Sequence, residues 1–323
     1  MAVLADRLAG APVWNALRYL AFEGRPPVGL VQCDAYEPRT LRAALESGLS
    51  LVPPPDLRGR RVVLKPNFVE FHEGRPINTD VRLIQEVVGL FRDLGATDLV
   101  VAEGPGHYAD TDDAWARSGL VSASSSHGFR LVDLNYDDLV PVGLATYTAK
   151  ADPKPPKSLL GQLYLPKTIH GADVLVSMPK LKTHHWAGCT LGMKNLFGVI
   201  PGSKYGWPKN LLHYNHISRS IVELAANVPV HYAIVDGVVG MEGDGPILGT
   251  PIDSKCLIFG RSVFDVDRIA AQAMGFDPAK IEYMRFAAFL GLFDEEDPRV
   301  AGVPLREVRK QFRTLPQFDG MKA

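Results

Sequence analysis

The sequence predicts an α/β fold: a doubly wound, mostly parallel sheet with helices on both faces and an active crevice at the carboxyl ends of the strands. Three observations predict it. Short apolar runs alternate with amphipathic stretches along the chain. The runs are apolar throughout, as strands covered on both faces require. Strand after strand then ends in polar residues. The chain has 323 residues, enough for one large domain or two lobes with ample core.

The strand runs are Val28–Cys33, Val62–Lys65, Asp98–Ala102, Arg130–Leu134, Asp173–Met178, Tyr232–Val235 and Cys256–Phe259. Between them, Arg39–Gly48 and Asp80–Leu94 carry helical apolar spacing. The second opens on an Asn78-Thr79-Asp80 cap and stops at Gly95. Asp110–Ser118, Asn215–Ala226, Asp265–Met274 and Lys280–Leu290 complete the helices. Asp265 and Asp267 open a helix, where capping is the better reading of a carboxylate. Thr146–Lys157 is rich in proline and lysine and reads as an exposed loop. Pro201–His213 reads equally as a flap over a site or as a long connection. The expected organisation is N-terminal helices and a first strand (1–59), an α/β core (60–293) and an extended C-terminal appendage (294–323).

A formal net charge of -1 with mixed signs argues against a general nucleic-acid binder. No apolar run reaches the roughly 18–20 residues of a membrane span, so no membrane partner is expected. The first residues lack a signal-peptide pattern, since Asp6 and Arg7 interrupt the apolar stretch, and a cytoplasmic location is expected. Cys33, Cys189 and Cys256 are scattered without a CxxC, which argues against a cysteine-bound iron–sulfur cluster.

The most informative segment is Ser177–Gly202, SMPKLKTHHWAGCTLGMKNLFGVIPG. It follows a strand and sets Lys180, Lys182, Lys194, Asn195 and adjacent histidines among glycines. Groups just past a parallel strand fall in the ligand crevice, so the segment reads as an anion site. Other strand ends add Lys65 and Asn67, Glu103 with His107, and Asp236. Lys204 stands on the loop that follows. Lys65 ends an apolar strand before a proline, and ionisable groups gathered in a crevice mark sites. His107, on a glycine-shaped loop, suits acid–base work near neutral pH. Of His184 and His185, one faces the crevice and the other packs. His213 and His216, at i, i+3, share a face if helical and could bind a metal, with capping as the competing role. Gly240–Gly249, with Glu242, wraps a ligand or is a plain loop. It carries no nucleotide fingerprint.

The strings PKLKTH and GCTLGMKNLFGVIPG, with LKPN upstream and DGVVGMEGDGP downstream, resemble domain-of-unknown-function family 362 over about residues 60–290. Many members carry a ferredoxin-type cysteine cluster, which this chain lacks. More distantly, the order of landmarks is similar to the nickel-pincer lactate racemase family. The Glu103–His107 loop, His185-Trp186-Ala187-Gly188, Lys194 and Pro201-Gly202 match that order. The resemblance implies His107 and His185 as proton-exchanging residues, Lys194 as the tether of a nickel-pincer nucleotide or as an anion clamp, and His216 as a metal ligand.

Taken together, the expectation is an enzyme acting on a small anionic metabolite, a carboxylate above all, by proton or hydride shuttling of a racemase, epimerase or lyase kind. His107, His184, His185 and Lys65 would carry the chemistry, and Lys180, Lys182, Lys194, Asn195, Asn67 and Lys204 would hold the anion or cofactor. A divalent metal would sit among His213, His216, Asp236, Glu242 and Glu103. The rivals are a metal-dependent biosynthetic enzyme or hydrolase, a non-catalytic anionic-ligand or cofactor carrier, and a phosphate- or nucleotide-binding enzyme that uses the same four lysines, Lys65, Lys180, Lys182 and Lys194. The sequence gives no oligomeric state.

Overall fold

The computed structural model describes residues 8–9, 25–106, 110–144, 146–147, 158–292 and 296–323. His107, the expected helices before residue 25 and most of the Thr146–Lys157 loop lie outside them.

The apolar runs form one sheet. Its strands are β1 (Val28–Gln32), β2 (Arg61–Pro66), β3 (Asp98–Glu103), β4 (Arg130–Asp133), β5 (Val174–Met178), β6 (Lys180–His184), β7 (Gly188–Thr190), β8 (Tyr232–Glu242), β9 (Thr250–Gly260) and β10 (Val300–Gly302). The path runs β10-β1-β9-β8-β5-β2-β3-β4, with β6 joined to β7 and β8. From β8 to β4 every pairing is parallel.

Helices cover both faces. The first face carries α1 (Pro38–Leu51), α2 (Val81–Asp93), α3 (Thr111–Arg117) and α4 (Leu120–His127). The second carries α5 (Gly192–Asn195), α6 (Ile217–Asn227), α7 (Val263–Ala273) and α8 (Glu282–Phe289). In α2 the apolar spacing buries Leu83, Ile84, Val87, Val88 and Phe91, and the Asp80 carboxylate caps the N–H of Arg82, as the sequence predicts.

Three features depart from the expectations. β9 is antiparallel to both of its neighbours. No helix lies between β8 and β9, so a tight turn over Gly243–Gly249 folds one directly onto the other. KLKTH, expected as the residues past a strand end, is itself a strand: β6 pairs parallel with β8 and antiparallel with β7. The tail from residue 296 is no appendage, for β10 runs parallel beside β1 and Phe312 and Met321 enter the core.

The glycine-rich turn braces β6. The Gly245 carbonyl accepts from the His185 N–H at 2.7 Å. A Cβ at Gly245 would stand 2.0 Å from the Thr183 carbonyl oxygen, so only glycine permits this approach.

Candidate functional site

The buried lysines fall into two kinds. Lys65, at the end of β2, is fully buried. Its ammonium donates to the Pro66 carbonyl at 2.7 Å, to Asn195 Oδ1 at 3.0 Å and to Glu103 Oε1. All three of its N–H groups are thereby used. Asn195 completes the knot, donating to the Lys65 carbonyl and to Ser177 Oγ at 3.1 and 3.0 Å. Gly198 lies against this pair, where a Cβ would meet Glu103 Oε1 at 2.3 Å. Lys180 is spent in the same way, on Asp236 Oδ2 at 2.9 Å and the Tyr36 hydroxyl at 2.8 Å. The Tyr36 hydroxyl in turn donates to Asp236 Oδ1 at 2.6 Å. These two expected site lysines are corrected to structural ion pairs: burial demands a counter-ion, and each has one.

Lys182, Lys194 and Lys209 differ. They border one cavity of about 310 Å³. Among the described residues Lys182 Nζ meets only the carbonyls of Ile77 and Pro246, at 2.6 and 3.3 Å. Burial first, then the charges of Lys194 and Lys180, hold its ammonium well below the usual lysine range. Lys209 Nζ meets the carbonyls of Gly104 and Phe197. Its backbone sits in the left-handed region, φ 67°, which costs a residue with a Cβ and turns the side chain inward. Lys194 is half-buried, its Nζ 3.7 Å from the centroid of the Phe197 ring. Burial, then repulsion from Lys209 and Lys65, pushes Lys194 down to about 7. Burial likewise pushes Lys209 down to about 7, against the pull of Glu103.

Four histidines of the sequence reading can be placed. His184 is buried on the cavity wall. Its Nδ1 accepts from the N–H groups of Trp186 and Ala187 at 3.1 and 3.2 Å. That fixes the tautomer: the neutral ring carries its proton on Nε2. Burial, then the Lys194 charge, holds its pKa well below the usual histidine value. His184 can therefore donate a hydrogen bond but has no open lone pair with which to act as a base. His185 also lines the cavity, with Nδ1 3.7 Å from Asp244 Oδ1. His213 lines it from the facing segment, edge-on to Trp186 with ring centroids 5.0 Å apart. Trp186 is 58% exposed at the mouth. So both members of the adjacent pair reach the cavity, contrary to the expectation that one packs.

Three polar atoms on residues of this wall are buried without a hydrogen-bond partner: Asn67 Oδ1, Glu103 Oε2 and Thr190 Oγ1. Such atoms cost free energy unless something satisfies them.

The expected metal set does not assemble. Asp236 is bound to Lys180 and Tyr36, while Glu242 accepts from Arg313 Nε at 2.7 Å. His216 faces a separate groove, Nε2 3.8 Å from Glu282 Oε1. Among the described residues no three His, Cys, Asp or Glu side chains converge. A pincer group tethered by Lys194 with His216 on its metal does not fit this arrangement, because His216 is not on the cavity wall. Lys204 is also elsewhere, its Nζ 4.5 Å from the Tyr164 ring centroid.

Four contributors escaped the sequence reading. Lys209 lies in the Pro201–His213 segment; the signal was a lysine after Trp207-Pro208 in the stretch read as a flap. Thr190 offered no signal. Tyr36 gave none either, since its partner Asp236 lies 200 positions away. Asp267 accepts from the N–H groups of Gly192 and Met193, so it holds the start of α5 instead of capping its own helix. Burial pushes its carboxyl up to about 8 against those two donors.

A mostly parallel sheet with a lysine-lined cavity beside the strand ends defines an α/β protein with its polar groups gathered at the carboxyl rim. Residues 62–272 match the family model described as a domain of unknown function, DUF362, and the chain belongs to that family. The thylakoid-associated protein sll1697 of Synechocystis sp. is 28% identical over 276 residues, covering 82% of this chain and 79% of that protein. Two solved structures are similar at a TM-score of 0.39 each. One is a Thermotoga maritima protein, 9% identical, with 75% of this chain and 60% of that one covered. The other is the lactate racemase apoprotein of Thermoanaerobacterium thermosaccharolyticum, 15% identical, with 74% and 56% covered. This chain thus spans under two thirds of either structure, and likeness at that level carries no functional argument.

Proposed function

We propose that the protein is an enzyme that binds a small anionic metabolite, a carboxylate above all, in the Lys182–Lys194–Lys209 cavity and moves a proton at the carbon beside the anion. One observation carries the reading: two buried ammonium groups and a half-buried third, none paired with a carboxylate of its own among the described residues, border the same cavity as three histidines. Ionisable groups kept away from their ordinary pKa in a crevice are what binding and proton transfer use.

Lys194 and Lys209 hold the anion and regain their protons as it arrives. His184 donates from Nε2. His185 and His213, nearer the mouth, exchange protons with the substrate. The unpartnered oxygens of Asn67, Glu103 and Thr190 accept from hydroxyl or amino groups of the same molecule. A racemase, epimerase or lyase step fits these roles. Hydride shuttling in place of proton transfer would need a cofactor to accept the hydride.

The test is proton NMR in D₂O. Small carboxylates are incubated with the protein, and the Cα–H signal is followed. Enzyme-dependent washout that disappears in His185→Ala and Lys194→Ala supports the reading. Turnover that keeps the original hydrogen points to hydride shuttling. Turnover unchanged in both variants puts the chemistry elsewhere. Location belongs to the proposal too: the three thiols are free and buried, in keeping with a reducing cytoplasm. Among the described residues no helix is long and apolar enough to cross a membrane. Recovery in the membrane pellet, as the name of the Synechocystis relative would suggest, is the outcome against a cytoplasmic location.

A further inference from the structure

The three cavity lysines also bear on the charge of the ligand. Each ammonium has three N–H donors. Lys182 uses two, on Ile77 and Pro246. Lys209 uses two, on Gly104 and Phe197. Lys194 has the face of Phe197 and no hydrogen bond among the described residues. One donor of Lys182, one of Lys209 and three of Lys194 therefore remain, five in all. His184 adds its Nε2–H. Among the described residues the cavity wall carries one carboxylate, Glu103, whose Oε1 is engaged by Lys65 and whose Oε2 has no partner.

We propose, resting on the anion-binding reading above, that the cavity is built for a ligand bearing two negative charges, a dicarboxylate or a phosphate monoester, and not for a simple monocarboxylate. A lone carboxylate would pair with one ammonium and leave the other two amines without a counter-charge. An unpaired buried charge is expensive, so those amines would stay unprotonated and their leftover donors unused. Two charges on the ligand match the cations and the leftover donors together. At about 310 Å³ the space is at the small end for ligand sites, so both charges belong to one compact molecule. The depressed basicity of Lys194 and Lys209 adds a signature: the doubly charged ligand draws protons onto the protein.

Calorimetry on the intact protein at pH 8, in two buffers of different ionisation enthalpy, tests this with acetate, malonate and inorganic phosphate. At least one of malonate and phosphate should bind about tenfold or more tightly than acetate, with net proton uptake; which one wins identifies the geometry. In Lys209→Met the ratio should shrink to below about threefold, and Lys194→Met repeats the test should the first variant misfold. Acetate binding as tightly as both dianions overturns the inference while leaving the anion site standing, and so does an unchanged ratio in folded variants. Failure of all three probes to bind overturns the inference and the proposed function together.

Discussion

Lys65 and Lys194 stand within one small region, yet they do opposite things. Lys65 is locked by three hydrogen bonds, one of them to a buried carboxylate. Lys194 has an aromatic face and, among the described residues, no counter-ion. Lys180 belongs with the first, Lys182 and Lys209 with the second. Burial alone thus does not mark a lysine as a binding residue. In the proposed site, the lysines assigned to binding are those without a carboxylate partner among the described residues.

That contrast can be broken in several ways. The largest effect is expected from Lys65→Met, which strands Glu103 in the core. Removing one partner of a buried pair costs about 3–5 kcal/mol, read as a fall in denaturation midpoint. Lys180→Met should cost less, because Asp236 keeps the Tyr36 hydroxyl and the Asp80 N–H at 2.6 and 2.9 Å. Gly198→Ala pushes a methyl into the Lys65–Glu103 pair, an overpacking cost of about 1–3 kcal/mol by the same denaturation measurement. Lys194→Met should leave stability level or slightly raised, since it removes an unpaired cation, while anion affinity falls. If Lys194→Met unfolds the protein as Lys65→Met does, the distinction between the two kinds is wrong.

The subtlest expectation concerns pH. In the folded chain Lys194 and Lys209 lose their protons near 7, against about 10.4 for an unfolded lysine. Between those values the unfolded state binds more protons, so these two groups make stability rise with pH. Their removal should flatten that slope, visible as a smaller difference in melting temperature between pH 7 and pH 10. Anion binding runs the other way. Affinity is greatest below pH 7, where both ammoniums exist, and falls by up to about tenfold per pH unit for each titrating lysine above it.

Much of this was legible in the chain itself. The parallel half of the sheet showed as apolar runs because strands buried on both faces have no other composition open to them. α2 showed its cap, its stripe and its stop. The antiparallel turn of β9 did not show, because a run such as Cys256–Phe259 looks alike in either direction and only the missing helix before it gave the orientation away. Around the site, His184, Lys182 and Lys194 stood out through their spacing after a strand. Lys65 and Lys180 stood out equally, but their ion pairing did not show, since their carboxylates, Glu103 and Asp236, arrive from strands 38 and 56 positions away. Pairing over such distances is a property of the sheet order, which no local pattern writes down. Lys209 was hidden for the converse reason: its segment reads as a loop, and an unusual backbone angle brings it to the cavity.

The Asp267 carboxylate fastens the amides at the beginning of the helix that carries Lys194 and Asn195, but it is made long after them. A ribosome that has finished the histidine–lysine stretch has produced the charges and not yet their fastener. A chain halted before residue 260 would leave those amides without the carboxylate that accepts from them. The start of the lysine-bearing helix thus depends on a residue made 75 positions after it.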